Sequence, residues 1–178
     1  MDGPLLTYPS LGTIHPYSSE SIGAGLIATG GTVFNSVAST VLGVDVLIYI
    51  PFSIGDRILV KQLFCYNGAT VNGNVDVGIY SAIGKLIISA GSTAQTGASV
   101  LQLFDIADTP LDPGDYYLCI GTNSATATFF AGTTVALTGK ALGLLQDTSI
   151  IPLPTESVFT TYALTMVPIV GLTIRTVV

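Results

Sequence analysis

The chain has 178 residues, of which 49% are hydrophobic and 9% charged, with a net charge of −6 and a pI of about 4.2. A soluble domain usually carries about 25% charged residues. Here the lysines and arginines are scattered singly at Arg57, Lys61, Lys85, Lys140 and Arg175, which disfavours the clustered cations that nucleic-acid binding requires.

The mean hydropathy of +0.68 would suit a membrane protein. However, the apolar stretch at 41–54 is cut by Gly43, Asp45 and Pro51, and that at 163–178 by Pro168, Gly171 and Arg175. A spanning helix needs about 18 uninterrupted apolar residues, so no membrane helix is expected. A domain of this size has too much surface to bury so many apolar groups alone, and obligate interfaces are apolar and poor in charge. The composition therefore predicts a homo-oligomer, with a trimer as the expected state, or a subunit held in a larger assembly.

Residues 1–44 are rich in Gly, Ser, Thr and Pro. Pro4, Pro9 and Pro16 break any helix and Gly30-Gly31 marks a turn, so an extended N-terminal arm is expected. Its apolar residues Leu5, Leu6, Leu11, Ile14 and Leu26 call for a partner. Met1-Asp2-Gly3-Pro4 has neither the basic nor the apolar region of a signal peptide. His15, the single histidine, lies in this arm beside Pro16. A Ser-His-Asp triad or a histidine-based metal site would have to use it, and an exposed or interface imidazole is the simpler reading.

From Asp45 onward strand signals are dense. Val46, Ile48 and Ile50 alternate with Leu47, Tyr49 and Pro51, so both faces are apolar. Over 57–66, Ile58, Val60, Gln62, Phe64 and Tyr66 are expected on one face, with Leu59, Lys61, Leu63 and Cys65 opposite. Asn67-Gly68 and Asn72-Gly73 are turn pairs. Val75, Val77 and Ile79 then face one way, with Asn74, Asp76, Gly78 and Tyr80 opposite. Residues 81–84 connect to a partner strand at 85–90. A further strand is expected at 100–106, before the turn Asp112-Pro113-Gly114-Asp115, read as type I or type II with Gly114 free to take a positive φ. Tyr116, Leu118 and Ile120 follow on one face, with Tyr117, Cys119 and Gly121 on the other. Strands at 125–131 and 133–137 complete the block.

Seven to nine short strands, evenly spaced and without helical periodicity, predict an all-β protein, an antiparallel β-sandwich or jelly roll. The expected boundaries are an arm over 1–44, the sandwich over 45–138, and a C-terminal extension or final strands over 139–178. The apolar segment at 167–175 reads either as a last core strand or as an arm laid on a neighbouring subunit.

Three stretches carry a family resemblance. They are Tyr49-Ile50-Pro51-Phe52, the run Asn67-Gly68-Ala69-Thr70-Val71-Asn72-Gly73-Asn74-Val75-Asp76-Val77-Gly78-Ile79-Tyr80, and Leu111-Asp112-Pro113-Gly114-Asp115-Tyr116-Tyr117-Leu118. The block 46–130 resembles small β-sandwich domains in structural proteins of tailed bacteriophages, and the ending Pro168-Ile169-Val170-Gly171-Leu172 is similar to endings in such proteins. The resemblance covers about half the chain, and carbohydrate-binding jelly rolls share some of its motifs. It implies a virion protein, either a capsid decoration or cement subunit bound to the major capsid protein, or a tail or fibre adhesin that binds a host surface glycan.

Chemistry-bearing residues are few. Asp105, Asp108, Asp112 and Asp115 could supply oxygen ligands to calcium, but their spacing is not that of an EF-hand loop, and aspartates also suit turns. Asp56, Asp76 and Asp105 are candidates for a glycosidase acid pair, although no spacing selects two of them. Tyr49, Tyr66, Tyr80, Tyr116 and Tyr117 could form a sugar-stacking surface or the rim of a sandwich core. Cys65 and Cys119 read as reduced, buried thiols, with a bridge between neighbouring strands as the alternative. No catalytic or cofactor-binding residue is assigned, and no cofactor is expected.

Overall fold

The computed structural model of the chain describes residues 16–18, 21–24, 37–133 and 143–176. The regular structure there is all β-strand, as the alternating Val, Ile, Tyr and Phe pattern requires. In chain order the strands are β1 (Pro16–Ser18), β2 (Ser21–Ala24), β3 (Val37–Val41), β4 (Leu47–Ile54) and β5 (Ile58–Tyr66). They continue with β6 (Asn74–Ser81), β7 (Leu86–Ser89), β8 (Thr93–Ala94), β9 (Leu101–Leu111) and β10 (Gly114–Thr122). The last are β11 (Thr128–Thr133), β12 (Leu145–Asp147), β13 (Thr160–Thr161), β14 (Met166–Pro168) and β15 (Val170–Thr176).

These strands pair antiparallel into three sheets. One has the order β1-β2-β15-β5-β9. The second has the order β13-β12-β4-β10-β6-β7, with β8 also on β6. The third has the order β14-β11-β3. The first two sheets form a β-sandwich. Ile48, Ile50 and Phe52 of β4, Val75, Val77 and Ile79 of β6, and Leu118 and Ile120 of β10 share one core with Val60 and Leu63 of β5, Phe104 of β9 and Leu172 of β15. Phe129 and Ala131 of β11 and Val167 of β14 join that core, so the small sheet packs against the same interior. Burying each Leu, Ile or Phe side chain contributes on the order of 2 kcal/mol.

The sheets run across both expected boundaries. β3 precedes residue 45 and pairs with β11, and β15 follows residue 139 and pairs with β5 and β2. The apolar C-terminal segment is therefore a core strand of its own chain, with Val170 and Leu172 fully buried. Most of the expected arm, with Leu5, Leu6, Leu11, Ile14, His15 and Leu26, lies outside the described residues, as do Lys140 and positions 134–137 of the last expected strand.

Two local expectations are corrected. Strict alternation along β5 fails because the pairing with β9 shifts between Val60 and Gln62. A bulge inserts one residue and flips the following side chains to the other face. Ile58 and Val60 therefore face the core together with Leu63 and Cys65. The turn after β9 is also not a hairpin. β9 pairs with β5 in one sheet and β10 with β4 and β6 in the other, so Asp112-Pro113 carries the chain between sheets. Gly114 is not among the glycines with positive φ, which removes the type II option.

The outer face of the seven-membered sheet is covered as well. After β12 the chain crosses that face as a strap over 148–159 and hydrogen-bonds along the far edge, Leu86 N donating to Thr155 O at 2.9 Å and Ser157 N to Gly84 O at 2.9 Å. Ile151 and Leu153 of the strap bury with Leu47, Tyr49, Tyr80 and Cys119 in a second apolar cluster, against which Tyr117 and Phe159 pack. β4, β6 and β10 are thus buried on both faces.

Candidate functional site

The four aspartates raised as calcium ligands are not gathered into one site. Each is engaged by a different neighbour, three through a hydrogen bond and Asp112 through an ion pair. Gln62 Nε2 donates to Asp105 Oδ1 at 2.6 Å, Lys61 Nζ donates to Asp108 Oδ2, and Ser53 Oγ donates to Asp115 Oδ1 at 2.5 Å. Arg57 Nε lies 3.4 Å from Asp112 Oδ1. Three of these partners come from β5 or its leading turn and one from β4, so strand pairing places a separate donor opposite each acid. Among the described residues no group of three or more His, Cys, Asp or Glu side chains is placed to hold a metal ion.

The three acids considered for a carboxylate pair are likewise apart. Asp56 is exposed in the β4–β5 turn and Asp105 is exposed on β9. Asp76 is fully buried on β6, in the other sheet and beneath the strap. An open concavity of about 400 Å³ lies between the 90–96 loop and β9, with Thr93, Thr96, Gln102 and Leu103 on its walls. Among the described residues Asp105 is the only charged group lining it, and that acid is bound by Gln62.

The tyrosines are packing residues. Tyr49 and Tyr80 are fully buried and edge-on to each other, with ring centroids 5.2 Å apart. Phe159 of the strap lies 5.0 Å from Tyr49 and 4.9 Å from Tyr117. Tyr116 packs on Phe52 from the opposite side of β10, and Tyr66 packs on Phe130. The buried hydroxyls find partners, Tyr80 donating to Pro154 O at 2.6 Å and Ser157 Oγ donating to Tyr49 at 2.7 Å. Desolvation holds both phenols above the ordinary tyrosine range. Rings buried in this way offer no face to a sugar, which overturns the stacking surface as far as Tyr49 and Tyr80 are concerned.

Cys65 and Cys119 are free and buried in different sheets and different clusters, so the bridge between neighbouring strands is not formed. Burial pushes the Cys65 thiol up to about 12 and raises Cys119 as well. Neither is a nucleophile at neutral pH.

Two polar features escaped the sequence reading. Asn67, expected in a turn, is fully buried. Its Nδ2 donates to Thr96 O at 2.7 Å and Gln102 Oε1 at 2.9 Å, and its Oδ1 accepts from Gln95 Nε2 at 3.1 Å. This network fastens the 91–100 loop to the sandwich. The second feature is Asp76. Its Oδ2 accepts from Leu153 N at 2.9 Å and from Ser89 Oγ at 3.4 Å, while its Oδ1 is buried without a partner. The apolar residues Val75 and Val77 around Asp76 were a visible signal that the strand is buried on one face, but nothing local announced a cover on the other.

In comparisons with known proteins, no family model, curated protein or solved structure matches the chain.

Proposed function

We propose that the chain is a non-enzymatic structural subunit of a tailed-bacteriophage virion, a decoration or cement protein that stabilises the capsid through contacts with copies of itself and with the major capsid protein. The observation that carries this reading is the surface at the start of β9. Val100, Leu101 and Leu103 are 46%, 46% and 50% exposed at the edge of a sheet, in a chain with only 9% charged residues. Exposed apolar side chains beside open backbone groups suit contact with another protein better than contact with water. The resemblance of the 46–130 block to phage sandwich domains supplies the virion context. Asp105, Asp108, Asp112 and Asp115 are each paired and the five candidate tyrosines are packed, which supports a structural role over a chemical one.

Electron microscopy of gold-labelled particles tests the location. Label on the capsid shell supports the reading. Label restricted to tail tips, with binding to host glycan, replaces it with an adhesin. Sedimentation at micromolar concentration tests the assembly: a trimer is expected, and a stable monomer contradicts self-association.

A further inference from the structure

We propose that the strap over 148–159 is a pH-sensitive cover latched by Asp76, closed when that carboxyl carries its proton and loosened when it ionises. The geometry points to this residue for three reasons. Asp76 is fully buried, it bonds the strap directly through Leu153 N, and its Oδ1 has no partner. A neutral carboxyl tolerates such a position. A carboxylate there leaves part of its charge on an oxygen that nothing solvates.

Among the described residues no cation is paired with that charge, and neither ion pair there involves Asp76. The titratable groups that act on it or its surroundings are Tyr80 on β6, Cys119 on β10 and Asp147 on β12, each neutral or negative. β7 contributes Ser89, while Lys85 at its start and Glu156 on the strap are exposed and bridge to each other's backbone. The hydrogen bonds from Leu153 and Ser89 favour the ionised form, but desolvation is the larger influence and holds the carboxyl above the ordinary aspartate range.

The strap is the element that can yield. Leu153 Cδ1 lies 2.6 Å from where a Cβ on Gly78 would sit, and Ile151 Cγ2 lies 3.1 Å from the same point on Gly121. These side chains pack on the glycines beside and opposite Asp76 and Oδ1 is closed off from solvent, so exposing Oδ1 to bulk water requires lifting residues 151–153. An aspartate whose pKa is higher with the strap closed than open holds its proton better in the closed form. Closure is therefore favoured at and below the ordinary aspartate range, weakens as pH rises through the closed-state pKa, and then levels off.

Amide hydrogen exchange of the whole chain as a function of pH, corrected for intrinsic rates, is the test. Protection at Leu153 is expected to fall by about tenfold or more between about pH 4 and pH 8, with core amides of β10 unchanged. Asp76→Asn keeps the shape and removes the charge, so its protection should not change with pH. Labelling of Cys119 by a disulfide reagent should follow the same difference between the two proteins, with Cys65 as an internal control in the other cluster. Unchanging protection in the unmodified chain, or the same fall in Asp76→Asn, overturns the proposal. Should Asp76→Asn not fold, carbon-13 titration of the Asp76 carboxyl decides. A midpoint above the ordinary range supports the latch, and an ordinary midpoint overturns it.

Discussion

The Tyr116 hydroxyl donates to the backbone carbonyl of Asp112 at 2.7 Å and so ties the first turn of β10 to the corner that crosses between sheets. A tyrosine that bonds back to the backbone a few residues upstream is a recurrent way to fix a corner in sandwich proteins. Tyr116→Phe keeps the ring on Phe52 and removes only this bond. It should lower stability by about 1 kcal/mol, read as a reduced urea midpoint at unchanged slope. An unaltered midpoint would mean that Pro113 alone shapes the corner.

The two glycines flanking these features should behave oppositely. A Cβ on Gly78 would sit 2.6 Å from Leu153 Cδ1 and 2.9 Å from the Ile88 carbonyl oxygen. Gly78→Ala must displace the strap or the neighbouring strand and should cost about 1–3 kcal/mol. At Gly114 the nearest atoms are 3.7 Å away and φ is not positive, so Gly114→Ala should stay within about 0.5 kcal/mol. Thermal melts of the two variants check both, and equal effects would contradict this account of the strap.

Those positions also show how far the sequence was legible. Alternation in β4, β6 and β10 identified which side chains share a face, because a period of two needs no tertiary information. It left open what covers the second face. Asp76, Gly78 and Tyr80 read only as the row opposite Val75, Val77 and Ile79, and the cover comes from a proline-containing segment more than 70 residues later that has no period of its own. The bulge in β5 was hidden for a related reason, since the register shift exists only in the pairing with β9. The four aspartates lie close in sequence, yet strand pairing gives each its own donor, and only the fold contains that information.

Those donors set the expected behaviour with calcium. The Arg57–Asp112 pair is exposed, with 59% and 81% of the two side chains accessible, and exposed pairs contribute about 0–1 kcal/mol. Alanine at Asp105, Asp108 or Asp112 should each cost less than about 1 kcal/mol. Millimolar calcium should shift the melting temperature by less than about 1 °C relative to chelator, because only a bound ion adds stability. A rise of several degrees, abolished by these substitutions, would establish a calcium site at the β9 edge.

Asn67 should be the most sensitive polar position. It is fully buried, and its amide joins the carbonyls of Thr96 and Gly97 and the side chains of Gln95 and Gln102. Gln102 in turn donates to Ala94 O at 2.9 Å and accepts from Thr96 N, so the middle of the 91–100 loop, residues 94–97, depends on one set of bonds. Asn67→Ala leaves Gln95 Nε2 and the Thr96 carbonyl short of a partner beside a buried position. A buried polar group left unpaired costs about 1–3 kcal/mol. The variant should lose about 3 kcal/mol in total, several times the Tyr116→Phe loss. Because the network is shared, Asn67→Ala combined with Gln102→Ala should cost clearly less than the sum of the two single substitutions. A double-mutant cycle by urea denaturation measures that coupling, and strict additivity would show that the loop is held by its backbone alone.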